Sequence, residues 1–382
     1  MSKINFITAG ESHGPLLTAI ISGLPAGFKI DVEKINKQLQ KRQLGYGRGG
    51  RMKIEKDKVR VLSGVRNSVT LGSPITLQIM NRDFLNWKDT MDPILLDQRD
   101  EKVEIPRPGH ADYAGIKKYG FNDIRNVLER SSARETAIRV AVGGLCRQFL
   151  ENIGIKFFSH VTQIGKVSIK EKIYSNKLLE LANNSTVRCI DKNVSEQMEK
   201  EIDNAKSLGD SIGGIFQVVV KNLPIGLGSY VHWDERLSSK ISSHILGIPA
   251  IKGIEFGKGF NSAKILGKDY HDEFTVKNGK ISRDSNNAGG LEGGMTSGEP
   301  LVINAVMKPI PTLTNPLKSF NIKTKEKVVA HKERTDSCAV PAASIVAENV
   351  IAIPLLDAFL NRFGRDSWKI IKKRFKDENG IN

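Results

Sequence analysis

Residues 130–154 read RSSARETAIRVAVGGLCRQFLENIG, and this stretch decides the architecture. Over residues 132–153 the apolar side chains Ala137, Ile138, Ala141, Val142, Leu145, Phe149 and Leu150 fall on most sides of a helix rather than along one stripe. The spacing therefore predicts a helix buried all round, which needs other layers to cover it. Ser132 and Glu135 have capping-box spacing at its start, and Gly154 suits its stop. A second mostly apolar helix is expected over residues 341–360, with Pro341 in its first turn and a kink at Pro354.

Working outward, residues 4–8 and Leu16–Ser22 read as strands on either side of Gly-Glu-Ser-His-Gly (10–14). Residues 59–65 and 73–80 read as strands around a Gly72 turn, 215–220 as a β-branched strand, and Leu301–Met307 alternates. Residues 31–44 have helical spacing, with Asp31 as cap and Ile35 and Leu39 on one face; 238–246 is a further helix. The loop 45–51, GYGRGGR, reads as a flexible basic lid, and its glycines do not join a strand to a helix as a dinucleotide turn requires. Residues 81–109 show little periodicity and end in a Pro-Gly turn; 289–298 reads as loop. The Lys-, Glu- and Asn-rich segment 170–206 is expected to be an exposed helical excursion, and 365–382 a basic, frayed tail. No linker divides the chain. The expectation is one interlocked domain over residues 1–382 with two buried helices.

The chain has 382 residues, of which 39% are hydrophobic, as suits a globular protein. No apolar run approaches the ~20 residues of a membrane span. The first fourteen residues hold no signal-peptide core. Cys146, Cys189 and Cys338 are too few and too scattered for a disulfide framework or a zinc site, so a reducing cytoplasm is expected. The net charge of +16 calls for acidic partners. Aromatic residues make up only 6% and no nucleic-acid motif occurs. The arginines gather in Gly- and Ser-rich turns, a distribution suited to a small, multiply charged anion.

His13 lies in a Gly-flanked turn beside Ser12, and His110 follows Pro108-Gly109, with Asp112 placed to orient it. Two turn histidines favour acid–base work over backbone capping. His160, His232, His244, His271 and His331 lack such settings and read as surface or core. Arg130, Ser131 and Ser132 at a helix start read as an anion site as well as an N-cap. Arg42, Arg48, Arg51, Arg107, Arg134 and Arg334 offer bidentate donors for carboxylates and phosphates. Asp336, alone, reads as a cap or an ion-pair partner. No metal site is expected at His110-Ala-Asp112 or at His271-Asp-Glu273, where adjacent side chains of a strand would point to opposite faces.

Three motifs, Gly-Glu-Ser-His-Gly (10–14), Arg-Ser-Ser-Ala-Arg-Glu-Thr (130–136) and Arg-Thr-Asp-Ser-Cys (334–338), resemble in order and spacing the hallmarks of the chorismate synthase family. Gly-Tyr-Gly-Arg (45–48), Arg-Pro-Gly-His-Ala-Asp (107–112), Gly-Asp-Ser-Ile-Gly-Gly (209–214), Ala-Gly-Gly-Leu-Glu-Gly-Gly (288–294) and Lys-Pro-Ile-Pro-Thr (308–312) extend the resemblance over essentially the whole chain. Glu129 stands where the family commonly has glycine, and Ser337 where proline often follows the aspartate. The resemblance implies an α+β fold, a single-domain β-α-β sandwich with buried central helices and antiparallel sheets, usually a homotetramer. It implies a reduced-FMN-dependent trans-1,4 elimination of phosphate from 5-enolpyruvylshikimate 3-phosphate, giving chorismate. By position, His13 would protonate the departing phosphate. His110 would manage the proton of the reduced flavin, and Asp336 would work with the flavin to remove the ring hydrogen. Ser12 and Ser132 would support these transfers. Arg130, Ser131, Ser132, Pro249, Ala250, Gly293, Lys308, Pro309, Ile310, Pro311, Thr312 and Arg334 match FMN-contact positions. Arg42 and Arg48 match nucleotide- or substrate-binding positions, and Arg51, Arg107 and Arg134 join them as anion donors.

Two rivals stay open on composition. A basic nucleic-acid-associated protein explains the charge but neither the histidine turns nor the glycine-rich loops. A flavin-free phospholyase needs no reduced cofactor. NADPH is expected only as a flavin reductant, supplied through a separate reductase. Neither a nucleic acid nor a membrane is expected as partner.

Overall fold

Alternation near the N-terminus builds the first sheet in the computed structural model, which describes residues 3–49, 54–94, 102–170, 175–277, 279–333, 335–378 and 380. Strands β1 (Asn5–Ala9) and β2 (Leu16–Ser22) lead to helix α1 (Val32–Gln43), then β3 (Val59–Val61) and β4 (Ile75–Met80). The antiparallel order is β1–β2–β4–β3. Leu17, Ala19 and Ile21 of β2 and Ile75, Leu77 and Ile79 of β4 point into the core, while Ile20 and Met80 face outward. Asp31 caps α1 through the N–H groups of Glu33 and Lys34, and Ile35 and Leu39 are fully buried.

Two shorter helices, α2 (Asp112–Tyr119) and α3 (Arg125–Ser131), precede the central α4 (Thr136–Glu151). The boundary of α4 differs from expectation. Ser132 accepts from the N–H of Arg134 and caps one tight turn, Ala133–Glu135, before the α-helix begins. Glu135 does not close a capping box, because its Oε1 accepts from Thr8 Oγ1 of β1 at 2.8 Å. As expected, α4 is buried almost throughout.

The second sheet holds β5 (Lys156–Ile164), β6 (Val167–Ser168), β7 (Gly214–Lys221), β8 (Ile251–Phe256) and a later strand, Leu301–Met307. Between them lie α5 (Asn176–Leu181), α6 (Lys192–Ser207) and α7 (Leu237–Leu246). The short strands β9 (Leu291–Glu292) and β10 (Met295–Thr296) form a hairpin, so Leu301–Met307 is β11. The sheet order is β8–β11–β7–β5–β6, antiparallel throughout.

Helices α8 (Val340–Val350) and α9 (Ala352–Phe363) complete the middle layer. Helix α4 packs on β2 and β4, α8 packs on β5 and β7, and α4 meets both α8 and α9. The result is an α+β sandwich with helices between two antiparallel sheets. A Cβ at Gly143 would lie 2.3 Å from the Asn349 carbonyl oxygen, so glycine is what lets α4 and α8 touch backbone to backbone. The expected break falls at Ile351, three residues before Pro354, whose ring excludes the carbonyl one turn earlier.

Four expectations need correction. Val340–Phe363 covers 24 residues and is long and apolar enough to cross a membrane by composition, although no such run was expected; its most apolar window is wholly buried between the sheets. Segment 170–206 is helical, but it is not merely exposed: Leu179, Met198 and Ile202 are buried, because an apolar stripe runs through its charged sequence. Residues 171–174 lie outside the described residues. The tail is a helix, α10 (Trp368–Glu378), rather than frayed, with Trp368 set edge-on to Phe28 and Phe149. Within 289–298 the glycines make a hairpin turn, with positive φ at Gly293 and Gly294, between β9 and β10.

Candidate active site

Ser132, extended at φ −64° and ψ 144°, breaks the chain between α3 and α4 and leaves the start of α4 facing a cavity of about 600 Å³. Ser131, Ser132, Ala133, Arg134 and Thr136 line it, and so do Ala339, Ala342, Ala343 and Val346 from the start of α8. Two buried helices thus turn their N-terminal, partially positive ends to one space, which favours an anion.

His13 lies on the cavity wall, and Ser12 beside it. Its Nδ1 stands 2.9 Å and 3.1 Å from the two carboxylate oxygens of Glu129, and its backbone N–H donates to Glu129 Oε2 at 2.7 Å. The N–H of Ser12 donates to the Glu129 carbonyl oxygen at 3.0 Å. The Glu129 carboxylate is therefore directed at His13. The Trp87 ring packs 4.3 Å from the imidazole, and the Arg125 guanidinium lies over Trp87.

His110 follows the Pro-Gly turn, and its Nδ1 sits 2.5 Å from Asp112 Oδ1. Arg107 grips the same carboxylate, Nε to Oδ2 at 2.9 Å and Nη2 to Oδ1 at 3.1 Å, and donates from Nη1 to Thr312 Oγ1 at 3.0 Å. Burial alone would raise the Asp112 carboxyl, but hydrogen bonds from His110 and Arg107 hold it well below the usual carboxylate range. The sequence expectation that Asp112 orients His110 is met.

Asp336 pairs with Arg48 at 2.6 Å and accepts from the Gly49 N–H at 2.6 Å. A Cβ at Gly49 would lie 2.6 Å from the Thr335 carbonyl oxygen, so only glycine permits this approach. Ser337 N–H donates to Gly47 O at 2.8 Å. The described part of the expected lid, residues 45–49, is thus tied to the segment that carries Asp336 rather than free over the substrate.

Arg42 and Arg134 share the buried Asp57, and Arg134 also meets the buried Glu55; the sequence reading singled out neither acid. Arg134 pairs with Asp57 at 2.6 Å and Glu55 at 3.6 Å, and Arg42 reaches Asp57 at 3.6 Å. Arg42 also donates to Thr136 Oγ1 and Ala133 O, which ties α1 to the start of α4. Burial brings Arg42 down to about 10, against the pull of Asp57. Arg42 Nη1 and Arg134 Nη2 are buried and make no hydrogen bond; each faces a carboxylate oxygen at ion-pair distance, that of Asp57 and of Glu55 respectively.

Pro249, Ala250, Lys308, Ile310, Pro311 and Thr312 all line the cavity, joined by the Lys308 N–H bond to Ala250 O. Ala250 holds the left-handed φ of 67°, a strained choice for a residue with a Cβ. Three expected contacts are not on the wall. Arg130 turns outward to Thr8 O and Gly10 O, Gly293 occupies the β9–β10 turn, and Pro309 lies between two lining residues. Arg51 and Arg334 lie outside the described residues. Lys252 and Glu333 line the cavity without having been read from sequence; Glu333 pairs with His331 at 3.0 Å. His160, by contrast, is a core residue, lowered to about 4 by burial and bonded to Gln217.

With this geometry established, the comparisons agree on one family. The family model described as chorismate synthase matches residues 4–360. A chorismate synthase of Alkaliphilus metalliredigens is 52% identical over 376 residues, covering 98% of this chain and 99% of that protein. One from Caldicellulosiruptor bescii is also 52% identical, over 378 residues, and 98% of each chain is covered. A crystal structure of chorismate synthase superposes with a TM-score of 0.80 at 39% identity, covering 100% of this chain and 99% of the other.

Proposed function

The chain belongs to the chorismate synthase family, and from that premise we propose how its own residues carry out the family's reaction. The reaction is the trans-1,4 elimination of phosphate from 5-enolpyruvylshikimate 3-phosphate, a carbon–oxygen lyase step of aromatic amino acid biosynthesis that yields chorismate. The observation that carries the roles is the convergence of His13, His110 and Asp336 on one basic cavity.

That cavity, about 600 Å³, is within the range of small-molecule sites. Reduced FMN suits it: Ile248, Ile251, Ala343 and Val346 offer apolar wall for a ring system, and the helix N-termini and the lining basic side chains offer anion binding. Ser131, Ser132, Pro249, Ala250, Lys308 and residues 310–312 would hold it. When bound, the reduced flavin supplies a transient electron to the allylic system and recovers it, so there is no net redox change.

The chain's own groups then handle binding and protons. Arg42, Arg48, Arg107, Arg134 and Lys252 meet the substrate's phosphate and carboxylates. His13 gives a proton from Nε2 to the departing phosphate oxygen as the carbon–oxygen bond breaks. Asp336, aligned by Arg48 and Gly49, takes the proton lost from the ring. His110, fixed at Nδ1 by Asp112, would stand by the flavin ring and manage the proton of its reduced form. Ser12 and Ser132 support these transfers. One proton and one phosphate leave, and the ring gains a double bond.

We further infer a homotetramer, and a separate reductase drawing on NADPH to keep the flavin reduced. Three buried, free cysteines support a reducing cytoplasmic setting. The test is an anaerobic assay with 5-enolpyruvylshikimate 3-phosphate and chemically reduced FMN. Chorismate should form without consumption of reductant, and oxidised FMN should give none. His13→Ala and His110→Ala should fold normally yet lose about 10²–10⁴-fold in turnover. Near wild-type turnover in both variants would overturn their roles.

A further inference from the structure

We propose that Glu129 is the positioning residue of His13: its carboxylate fixes the imidazole so that Nδ1 carries a retained proton and Nε2 alone serves the leaving phosphate. The inference rests on the reading of His13 as the proton donor to that phosphate.

The geometry is specific. One carboxylate receives both the backbone N–H and the Nδ1 of His13, at 2.7 Å and 2.9 Å. The backbone of the same glutamate receives the Ser12 N–H, so the turn carrying His13 is tied to α3 at two levels. Trp87 packs against the imidazole and limits its rotation. Both partners are buried, His13 at 7% and Glu129 at 3% exposure, so water competes poorly for the bond.

The chemistry follows from donor counting. An ionised carboxylate only accepts, so the ring nitrogen facing it must carry the proton. A neutral His13 then has its lone pair on Nε2, and a protonated His13 has an N–H there. After giving up the Nε2 proton, the ring is already in the tautomer that Glu129 binds, and nothing has to rearrange. The pairing of His110 Nδ1 with Asp112 repeats the carboxylate contact, although there Arg107 Nη2 also lies 3.4 Å from Nε2. The other charges near His13 act differently. Arg125, from α3, sits 3.4 Å from Glu129 Oε1 and lies over Trp87; Glu333 is engaged by His331; Glu11, on the same turn, is exposed. Among the described residues, Glu129 is the carboxylate that the ring itself contacts.

Glu129→Gln tests this with almost no change of shape. Its amide must turn an NH2 towards one of the two His13 donors. At about pH 8, kcat should fall by at least ~10-fold with little change in KM, because the imidazolium loses its counter-charge. For the same reason the alkaline limb of the pH–rate profile should move to lower pH. Glu129→Asp, which keeps the charge, should recover part of the rate. A second readout needs no turnover. In ligand-free protein with isotope-labelled histidine, the neutral His13 ring, assigned by its loss in His13→Gln, should be protonated at Nδ1 in the wild type and shift towards Nε2 in Glu129→Gln. An unchanged profile together with an unchanged tautomer overturns the inference. An inactive His13→Ala beside an indifferent Glu129→Gln defeats the positioning role alone, whereas a fully active His13→Ala defeats the underlying proton-donor reading.

Discussion

At the scale of single residues, the site depends on carboxylates that serve two partners at once. Asp112 binds His110 and Arg107 together. Asp112→Asn should therefore lose activity and also stability, about 3–5 kcal/mol for a broken buried pair, measured by urea denaturation. The sign with pH is fixed by the direction of its shift. Its folded carboxyl lies below the unfolded value, so the stabilisation is fully present above the ordinary range of about 4 and is lost as pH falls through the folded value. From about pH 4 downward the wild type's advantage over Asp112→Asn should shrink progressively towards the folded value, and an advantage that does not shrink at all as pH falls would count against the pairing. Sequence made His13 and His110 legible because glycine and proline beside them force turns, whereas Asp336 stood out only through the family resemblance. It did not reveal Glu129 as a partner, because that residue lies 116 positions from His13 and only the fold brings them together. Glu55 and Asp57 look like solvated charges in a run of lysines; burial against Arg42 and Arg134 gives them their role.

At the scale of elements, legibility follows composition. Helices α4 and α8 are apolar enough to be read directly, and Pro354 marks the break before α9. Helix α10 is hidden by its lysines, although Trp368, Ile371 and Phe375 form a single buried stripe at helical spacing. Strand β5 is obscured because Ser159 and His160 interrupt its apolar pattern; the fold satisfies them with Glu348 and Gln217. The stripe on α10 gives a prediction. Trp368 closes the aromatic cluster of Phe28, Phe149 and Phe359, and its backbone N–H bonds to Ala26 O beside the first sheet. Trp368→Ala should cost about 3–5 kcal/mol, read as a lower urea midpoint, while KM at low temperature stays unchanged because the cavity lies elsewhere. A variant as stable as the wild type would restore the expectation of a frayed tail.

At the scale of the whole molecule, the cavity draws on residues from Ser12 to Val346, so site and fold cannot form separately. That long reach was legible in site motifs near both ends of the chain. The use of the +16 charge was not, because composition gives a sum without a distribution. In the fold, Arg42, Arg107 and Arg134 are buried beside acidic partners rather than spread over a face that a polyanion could track. The remaining surplus is expected to act as a field that draws a small anion to the cavity. Raising ionic strength from about 0.01 M to 0.15 M shortens the screening length from about 30 Å to 8 Å. Capture of the trianionic or tetra-anionic substrate should weaken accordingly: kcat/KM should fall several-fold, while kcat, set inside a cavity that salt screens poorly, should change little. The same titration with random-sequence DNA separates the alternatives. Binding to DNA that survives 0.15 M salt with a steep salt slope would mean the charge serves a polyanion. A kcat/KM indifferent to salt would mean the field has no part in capture, leaving the cavity's own arginines to do all of the recognition.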